Sequence, residues 1–410
     1  MRILYVVHQF FPEYVGGTEQ DTLDVAQEMH RRGHQVAIFH RAPGSSALVR
    51  TEWEGIPLYR AQAGPMTPQA VFISTFGHRG LERAFRTAFQ EFEPDLVHFQ
   101  HLKGLPARLV SLVHKAGCPI VISLRDFWFI CLNAQLLTND TREICDTPGK
   151  WSRCARCGLT RIGMRRLRFL APLLGLMIAA RNALIKRVIH QADALLAFSR
   201  FVQKLYIRYG APSDRVHYVK RGLRYPQRWE SHPRDDKVKR FTYIGGLAWQ
   251  KGVHILVEAF NGLDNRAELV IAGDETKFPD YVRYLKEIAR HPGIQFVGRL
   301  SHSEVWRTLA DSDVVVVPSL WYETYSMIVH EAFAMGVPVI ASAHGALEEA
   351  VKDGVNGLLV PPGDVGALSR AMRRLVEQPE LLEKLRENVH PSPTMEIYIS
   401  ELETLYLSLK

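Results

Sequence analysis

The stretch 313–338 constrains the fold of this chain more than any other, and it reads DVVVVPSLWYETYSMIVHEAFAMGVP. The β-branched run 314–317 is typical of a buried parallel strand, and Pro318 ends it. After an aromatic loop, Ser326 is a candidate N-cap and residues 327–335 predict a short helix. A strand, a loop and a helix in this order place the helix N-terminus at the carboxyl edge of a parallel sheet, where open α/β sheets bind ligands.

Two carboxylates flank the start of this helix, because Glu323 precedes it and Glu331 lies in its second turn. Eight helical residues would span about 12 Å, which is roughly the length of a nucleotide sugar. The helix N-terminus favours a phosphate, and each carboxylate can accept hydrogen bonds from paired hydroxyls. The spacing alone favours simple solvated glutamates that flank a core helix, although both interpretations stay open at this point.

The spacing of the two glutamates resembles the E-x7-E signature of retaining glycosyltransferases of family 4, and the rest of the chain is similar to that family nearly end to end. The resemblance implies an α/β fold of the GT-B type, with two Rossmann-like parallel-sheet domains facing a cleft. It also implies that Glu323 contacts the donor sugar and Glu331 the ribose hydroxyls. The backbone between them would contact sugar and phosphate, through Thr324, Tyr325, Ser326 and Met327.

The domain organisation follows from length and composition. A chain of 410 residues can form two domains, each with its own core. The polar and charged segment 224–239 contains two prolines and predicts a linker. We therefore predict an N-terminal acceptor-side domain over 1–218, joined by an amphipathic helix over 395–410, and a C-terminal nucleotide-sugar-binding domain over 219–394.

A glycine pair precedes the first predicted helix of the N-terminal domain. Gly16 and Gly17 let a ligand approach the backbone where that helix begins. They do not form a G-x-G-x-x-G pattern, so a dinucleotide-binding Rossmann site receives little support. The resemblance implies that this loop faces the acceptor and the donor phosphates, and a simple tight turn is the alternative.

Arg125 and Asp126 follow a predicted strand of the same domain. Related enzymes tend to have His-Asp at this position, with the histidine near the sugar carbon under attack. Arg125 installs a permanent cation instead, which could hold phosphate or an acidic acceptor, or could weaken catalysis. His98 and His101 lie at the end of a neighbouring strand and are candidate acceptor contacts.

The phosphate-binding prediction for the second domain rests on Lys251, which stands at a helix start after Gly245 and Gly246. A lysine there can anchor a phosphate as a point charge. The resemblance implies an Arg and a Lys that hold the diphosphate together. Lys251 matches the Lys, whereas Gly246 replaces the Arg. The candidate substitutes are Lys220, Arg221 and Arg299, and Arg299 also follows the turn near which the family binds the base.

Four of the five cysteines lie close together in the sequence, at Cys131, Cys145, Cys154 and Cys157. In a reducing compartment such a pattern indicates metal before disulfide. Cys154 and Cys157 form a C-x-x-C pair, which is half of a common zinc site, so the pattern predicts a structural zinc. Free thiols in a loop are the alternative. The resemblance implies that the transfer itself requires no metal or other cofactor.

The charge pattern predicts acidic partners, because the chain has a formal net charge of +8 at pH 7 and a pI near 9.2. In segment 161–187 arginines precede and follow the apolar run 169–180, which suits a helix lying in an anionic membrane interface. A buried helix with basic ends is the alternative. Nucleic acid is disfavoured because the basic residues lack interleaved aromatics.

The predicted function is therefore a retaining glycosyltransferase, using a UDP-, GDP- or ADP-sugar and a glycan or lipid-linked acceptor, in cell-surface glycan biosynthesis. No signal-peptide pattern follows Met1, and no apolar run reaches the roughly 18 residues of a spanning helix. We expect a cytoplasmic protein, peripheral on the inner face of the cell membrane. A sugar-nucleotide epimerase of the same fold and a membrane-bound subunit without transfer activity remain as alternatives.

Overall fold

The computed structural model describes residues 1–14, 16–45, 48–225 and 238–410. These residues form two compact units, one comprising Met1–Val219 with Glu396–Lys410 and the other Lys220–Met395. The predicted division after residue 218 lies beside the observed one. Much of the predicted linker, residues 226–237, lies outside the described residues.

The first unit contains an eight-stranded sheet. Its elements in chain order are β1 (Arg2–Val7), α1 (Gly17–Arg31), β2 (Gln35–Pro43), β3 (Leu48–Trp53), β4 (Ile56–Ala63), α2 (Pro68–Phe76), α3 (Arg79–Phe92), β5 (Leu96–Phe99), α4 (Arg108–Lys115), β6 (Ile120–Ser123), α5 (Trp151–Arg161), a 3-10 segment (Arg165–Leu170), α6 (Ala171–Gln191), β7 (Ala194–Ala197), α7 (Arg200–Arg208) and β8 (Val216–Tyr218). The strand order is β3-β4-β2-β1-β5-β6-β7-β8, and every neighbouring pair is parallel except β3 with β4.

A last helix, α15 (Met395–Ser408), packs on this first sheet. The Tyr406 hydroxyl lies 2.5 Å from Nδ1 of His98 on β5, and both residues are buried. On the adjacent surface Glu403 bonds Arg32 at 2.9 Å and His34 at 2.7 Å. Residues at both ends of the described chain therefore complete one core.

The second unit contains a six-stranded, fully parallel sheet. Its elements are β9 (Lys239–Ile244), a 3-10 turn (Trp249–Lys251), α8 (Val253–Phe260), β10 (Ala267–Ala272), α9 (Pro279–Ile288), β11 (Ile294–Gly298), α10 (His302–Ala310), β12 (Val314–Val317), α11 (Met327–Ala334), β13 (Val339–Ser342), α12 (Gly345–Ala350), β14 (Gly357–Val360), α13 (Val365–Glu377) and α14 (Pro379–Glu387).

The strand β12 is buried on both faces of this sheet. Val314 and Val316 belong to one apolar cluster, whereas Val315 and Val317 belong to another. Because successive strand residues point to opposite faces, each face of β12 must be covered by helices. This explains why an uninterrupted valine run forms the strand instead of an alternating pattern.

Both sheets reverse their direction of growth next to a central strand. The second sheet has the order β11-β10-β9-β12-β13-β14, so the chain builds outward in one direction after β9 and in the other from β12. The first sheet reverses in the same way between β1 and β5. Open α/β sheets bind ligands at the carboxyl ends of strands on either side of such a reversal. The loops after β9, β12, β1 and β5 are therefore the expected ligand-binding segments.

Candidate functional site

A buried carboxylate follows β12 in the second unit. Glu323 is 8% exposed, and three donors approach its Oε1 atom: Lys251 Nζ at 2.8 Å, Ser319 Oγ at 2.6 Å and Trp321 Nε1 at 2.9 Å. Burial opposes ionisation, yet the Lys251 ammonium and these hydrogen bonds hold the pKa of Glu323 below its ordinary value. The side chain is therefore an ionised acceptor held in one orientation, with Oε2 accepting none of the three bonds.

Lys251 is placed beside Glu323 by the turn after it. Gly252 has φ +70°, and a Cβ atom there would lie 1.9 Å from the carbonyl oxygen of Pro318 at the end of β12. Only glycine permits this approach, which also lets the Leu320 N–H donate to the Gln250 carbonyl at 2.8 Å. The Lys251 ammonium lies 5.1 Å from the centre of the Trp321 ring. The pair predicted from two separate motifs is thus brought together.

The helix α11 begins without a side-chain cap. Ser326 occupies the N-cap position, as predicted, but it has φ 64° and ψ 84° and its side chain forms no capping hydrogen bond. A serine in this left-handed region is strained, and such strain collects at functional sites. The backbone N–H groups of Ser326, Met327 and Ile328 donate to none of the residues that the structure describes. These donors and the helix dipole favour an anion.

Glu331 differs from Glu323 in its environment. It lies on α11, half-buried, and its carboxylate accepts no hydrogen bond from the described residues. Burial raises the pKa of Glu331 to about 7, although the positive charge of Arg221 opposes this shift. A partly open acid without a donor is suited to accept hydrogen bonds from hydroxyl groups of a ligand.

Arg221 supplies a cation next to Glu331. It is 8% exposed, and its guanidinium lies 5.9 Å from the centre of the Tyr325 ring, whose hydroxyl donates to the Arg221 carbonyl at 2.8 Å. The ring of His330 stacks on the ring of Tyr325, and the two ring centres are 3.9 Å apart. Of the three cations that the sequence offered as substitutes, Arg221 is the one placed beside the predicted ribose-binding acid.

The other predicted phosphate contacts are dispersed along the sheet edge. Gly245 follows β9, with its N–H bonded to the Ala272 carbonyl at 3.0 Å, and Gly246 is exposed with no atom within 4 Å of where a Cβ would lie. Thr324 lies within the loop between Glu323 and α11. Arg299 follows β11, which is separated from β12 by β10 and β9.

The charge of Arg299 also acts on Asp274. The hydroxyl of Thr276 lowers the pKa of Asp274, and the charge of Arg299 adds to this effect.

In the first unit the structure gives Arg125 an internal role. Its guanidinium bonds the carboxylate of Asp21 and the side chain of Gln100, and it lies 4.9 Å from the centre of the Phe198 ring. Asp21 is fully buried. The guanidinium is thus used to neutralise a core carboxylate, and we assign Arg125 this structural role in place of the predicted anion contact.

His98 also belongs to the core and not to an acceptor site. It is fully buried, with Nε2 2.8 Å from Ser123 Oγ in addition to its Tyr406 bond. Burial lowers the pKa of His98 to about 3, so the ring is neutral. The prediction of an acceptor contact is therefore wrong for His98, because its ring is buried beneath α15 and bonded to Tyr406.

A second polar cluster lies at the carboxyl ends of β1, β5 and β6. His101 Nε2 is 3.0 Å from Asp126 Oδ2, and the His8 ring centre is 4.5 Å from that of His101. Burial opposes ionisation of Asp126, but His101 holds its pKa below the ordinary value. Lys103 adds a cation whose pKa is lowered by burial and partly restored by Asp126. Asp126 was predicted, whereas His8 and Lys103 were missed although both follow strands.

The glycine pair stands at the start of the helix that follows β1, with Gly16 as the N-cap of α1 and Gly17 as its first residue. A Cβ on Gly16 would lie 2.6 Å from Glu19 Oε2, and the buried Oε1 of Glu19 has no hydrogen-bond partner among the described residues. The small residue at Gly16 therefore makes room for a buried acid at the N-terminus of the helix. This is a specific packing reason for glycine, beyond a simple turn.

The four clustered cysteines share one cavity, but not a metal-binding geometry. Within the described ranges, no three or more His, Cys, Asp or Glu side chains are arranged to hold a metal ion. Cys154 and Cys157 lie on α5 and not in a loop, and burial raises the pKa of Cys154 to about 11. Cys131 Sγ donates to Asn133 Oδ1 at 2.7 Å, and the side-chain amides of Asn133 and Asn139 donate to Cys157 Sγ. The described side chains are not grouped as a closed zinc site requires, and the structural zinc stays an untested prediction.

Comparison with known proteins follows the same division of the chain. The family described as Glycosyltransferase Family 4 matches residues 15–224, and Glycosyl transferases group 1 matches residues 227–390. The chain belongs to glycosyltransferase family 4. Its two parallel-sheet domains are those of the GT-B fold, as predicted.

Individual relatives of this glycosyltransferase differ in how much they share. D-inositol 3-phosphate glycosyltransferase 1 of Catenulispora acidiphila is 30% identical over 90% of this chain and 85% of its own length. Alpha-D-kanosaminyltransferase of Streptomyces kanamyceticus is 30% identical over 38% of this chain, and the match spans 42% of that relative. The structure of Anabaena Alr3699/HepE in complex with UDP and glucose has a TM-score of 0.71 and 18% identity, covering 100% of both chains.

Proposed function

We propose that this glycosyltransferase moves a sugar, with retention of configuration, from a nucleotide-diphosphate sugar to a lipid-linked or polysaccharide acceptor. The Lys251–Glu323 pair, held 2.8 Å apart next to the uncapped start of α11, carries the proposal. The solved neighbour crystallised with UDP and glucose supports a donor of this class, and UDP, GDP and ADP are all compatible with the residues.

The donor is proposed to lie along α11. The hydroxyls of its sugar would bond Glu323, whose Oε2 atom is not used by Lys251, Ser319 or Trp321. The diphosphate would accept hydrogen bonds from the N–H groups at the start of the helix, and Glu331 would accept hydrogen bonds from the ribose. A fixed ionised acid at one end and an acid without a donor at the other match these two groups of hydroxyls.

Departure of the diphosphate is the charged step of the reaction. The Lys251 ammonium has three N–H donors, of which one bonds Glu323, so two remain for phosphate oxygens. Donors that are already oriented stabilise the developing charge without reorganisation. The departing phosphate oxygen can then take the proton of the acceptor hydroxyl while the sugar–oxygen bond to the acceptor forms on the same face. This sequence needs no side-chain nucleophile.

The test is nucleotide release from a panel of UDP-, GDP- and ADP-sugars with soluble and lipid-linked acceptors. We expect Lys251→Met to lower kcat by about 10²–10³-fold, as expected for an electrostatic contact made in the transition state. Lys286→Met is the matched control, because Lys286 forms an exposed pair with Glu275 in the same unit at 2.7 Å. Equal turnover in both variants would exclude the site assignment, whereas C2 epimerisation without acceptor would favour the epimerase alternative.

The acceptor is proposed to be membrane-associated, which makes the protein a peripheral cytoplasmic one. By length and composition, one helix in the described part of the chain, Arg165–Gln191, could cross a membrane. Its inner side packs in the first unit through buried residues that include Gly175, Ile178 and Ile185. Its outer side exposes Phe169, Leu173, Leu176 and Met177 next to Arg165 and Arg166. A helix packed along one side and apolar along the other lies in the interface of an anionic bilayer.

A further inference from the structure

The first unit contains an apolar cavity with a volume of about 430 Å³. It lies between α2, the segment after β6, α5 and α6. Its volume is typical of small-molecule sites. The apolar side chains that line it include Phe72, Trp128, Leu132, Leu174 and Ile178. The transfer chemistry proposed above uses none of these residues, so the cavity requires a separate explanation.

A buried cation lines this cavity. Arg181 of α6 is 1% exposed, and its Nη2 donates to the Trp128 carbonyl at 2.7 Å while Nη1 lies 3.3 Å from Asn182 Oδ1. Its guanidinium also lies 4.8 Å from the centre of the Trp128 ring. Among the described residues no carboxylate lies within ion-pair distance of Arg181. A buried, desolvated charge without a counter-charge is costly, so an anion in the cavity would stabilise it.

The cationic part of the cavity adjoins the polar cluster of the first sheet. Lys103 and Arg161 line the cavity together with Arg181. Lys103 also lies close enough to Asp126 for the two charges to interact, and Asp126 bonds His101. An anionic group held by these cations would therefore lie next to the polar cluster at the carboxyl ends of β1, β5 and β6.

The apolar part of the cavity opens toward exposed apolar side chains. Ile73 and Met177 both line it, and they are 62% and 46% exposed. Phe169, Leu173 and Leu176 continue the apolar surface along the same side of the helix. A hydrocarbon chain that leaves the cavity between α2 and α6 would thus pass directly onto the surface assigned to the membrane.

We propose that this cavity binds a lipid phosphate of the acceptor, with the phosphate on Arg181 and Lys103 and the first part of its hydrocarbon chain along Phe72, Leu174 and Ile178. This inference rests on the proposed function, because it names the acceptor subsite of that reaction. The cavity selects an anionic group joined to an alkyl chain. It does not select either part alone, since the cations and the apolar wall line the same cavity.

The first test uses the unmodified full-length protein and calorimetry with alkyl phosphates below their micelle concentration. From octyl to dodecyl phosphate the affinity should rise by about threefold to fourfold per methylene, the increment expected for burial of a CH₂ group. Inorganic phosphate and dodecyltrimethylammonium should not bind measurably. Equal binding of dodecyl phosphate and dodecyltrimethylammonium, or an affinity independent of chain length, would overturn the proposal.

The second test compares two arginines of the same helix. Arg181→Gln should weaken dodecyl phosphate binding by about 10- to 100-fold, because a charge-assisted hydrogen bond is lost. Arg187→Gln is the control, since Arg187 is exposed and does not line the cavity. Thermal unfolding and UDP binding by the second unit verify folding.

If Arg181→Gln is misfolded, Ala155→Phe serves instead, because Ala155 lines the cavity and a larger side chain there should exclude the alkyl chain. Unchanged binding in a folded variant would contradict the proposal.

The source of the lipid is separated by competition. If dodecyl phosphate inhibits transfer competitively with a lipid-linked acceptor, the cavity is an acceptor subsite. If phosphatidylglycerol vesicles displace it and transfer is unaffected, the occupant is a bulk membrane lipid and the assignment is overturned. Failure of nucleotide release in the unmodified protein would refute the proposed function while the alkyl phosphate titration is still read independently.

Discussion

Lys251 and Glu323 lie 2.8 Å apart at the carboxyl ends of two adjacent strands, although 72 positions separate them in the sequence. The contact joins the Lys251 ammonium to the Glu323 carboxylate, and the side chain of Glu323 is largely buried. Through this contact the acid and the phosphate-binding cation orient each other.

Removal of Lys251 should destabilise the second unit and change its pH dependence. The folded pKa of Glu323 is lowered, so its ionised form contributes stability above the unfolded pKa of about 4.3, and this contribution is lost as the pH falls through the folded value. We expect Lys251→Met to lower the unfolding free energy by about 2 kcal/mol at pH 7. Urea unfolding from pH 3 to pH 8 measures this. A loss of the same size in Lys286→Met would contradict it.

Glu331 should give the opposite pH dependence. Its pKa is raised to about 7, so the folded state retains a proton that the unfolded state releases above about 4.3. Stability from this group is complete below that value and is lost as the pH rises toward 7. Glu331→Gln should therefore be more stable than the unmodified protein at pH 8 and equally stable at pH 4. Thermal unfolding at both pH values decides, with the exposed Glu377→Gln as control.

The same change in Glu331 should weaken donor binding. Loss of a charged acceptor for hydroxyl groups is expected to raise the Kd for the nucleotide by about tenfold or more. Isothermal titration with UDP, GDP and ADP measures this. An unaltered Kd for every nucleotide would mean that Glu331 contributes to folding and not to the ligand.

A positive charge at Gly246 should strengthen nucleotide binding. The position is exposed, its φ is not in the left-handed region, and no atom lies within 4 Å of where a Cβ would be. Gly246→Arg therefore adds a second cation near Lys251 without a clash, and the Kd for nucleoside diphosphates should fall by about tenfold. Gly246→Gln is the uncharged control. If Arg and Gln have the same effect, the site does not bind phosphate at this turn.

Arg125 should behave as a core residue. Arg125→Met would leave the buried carboxylate of Asp21 without its counter-charge and should cost about 3–5 kcal/mol of unfolding free energy. The double variant with Asp21→Asn should recover much of that loss, which a urea-unfolding cycle can measure. A stable single variant with reduced turnover would instead restore Arg125 to the substrate site.

Membrane association should depend on the outer side of α6. Leu173→Gln with Leu176→Gln removes two exposed apolar side chains and should lower binding to phosphatidylglycerol vesicles by more than about tenfold. Ile397→Gln with Leu407→Gln is the matched control, because these residues are similarly exposed on α15. Vesicle flotation measures both. Equal retention of the two variants would favour a helix that merely ends a soluble domain.

The local signals in the sequence predicted much of the fold. The strand 314–317 was located at its observed ends, because a short buried parallel strand between turn residues has a pattern of its own. The hairpin of β3 and β4 was not predicted. The helix α5 was also missed, since the nearby Asn-Asp and Pro-Gly pairs indicate a loop, whereas packing of Ala155 and Leu159 makes the following residues helical.

The site was only partly predictable, because its contacts depend on sheet order. Glu323 and Lys251 were found from two motifs, but their pairing requires β9 to lie beside β12. The role of Arg125 depends on Asp21, which is 104 positions away and reaches it only because β1 and β6 both adjoin β5. Ser326 lies at the predicted N-cap position, but the absence of its capping bond could not be predicted, since a capping preference says nothing about a left-handed φ imposed by its loop.

The bond between Tyr406 and His98 has a consequence for how the chain is made. The ribosome releases the residues of α15 only after the whole second unit has emerged, so the N-terminal half must wait with part of its core uncovered. The second unit can thus complete its core before the first unit does. A chaperone or stalled translation would therefore act mainly on the first unit.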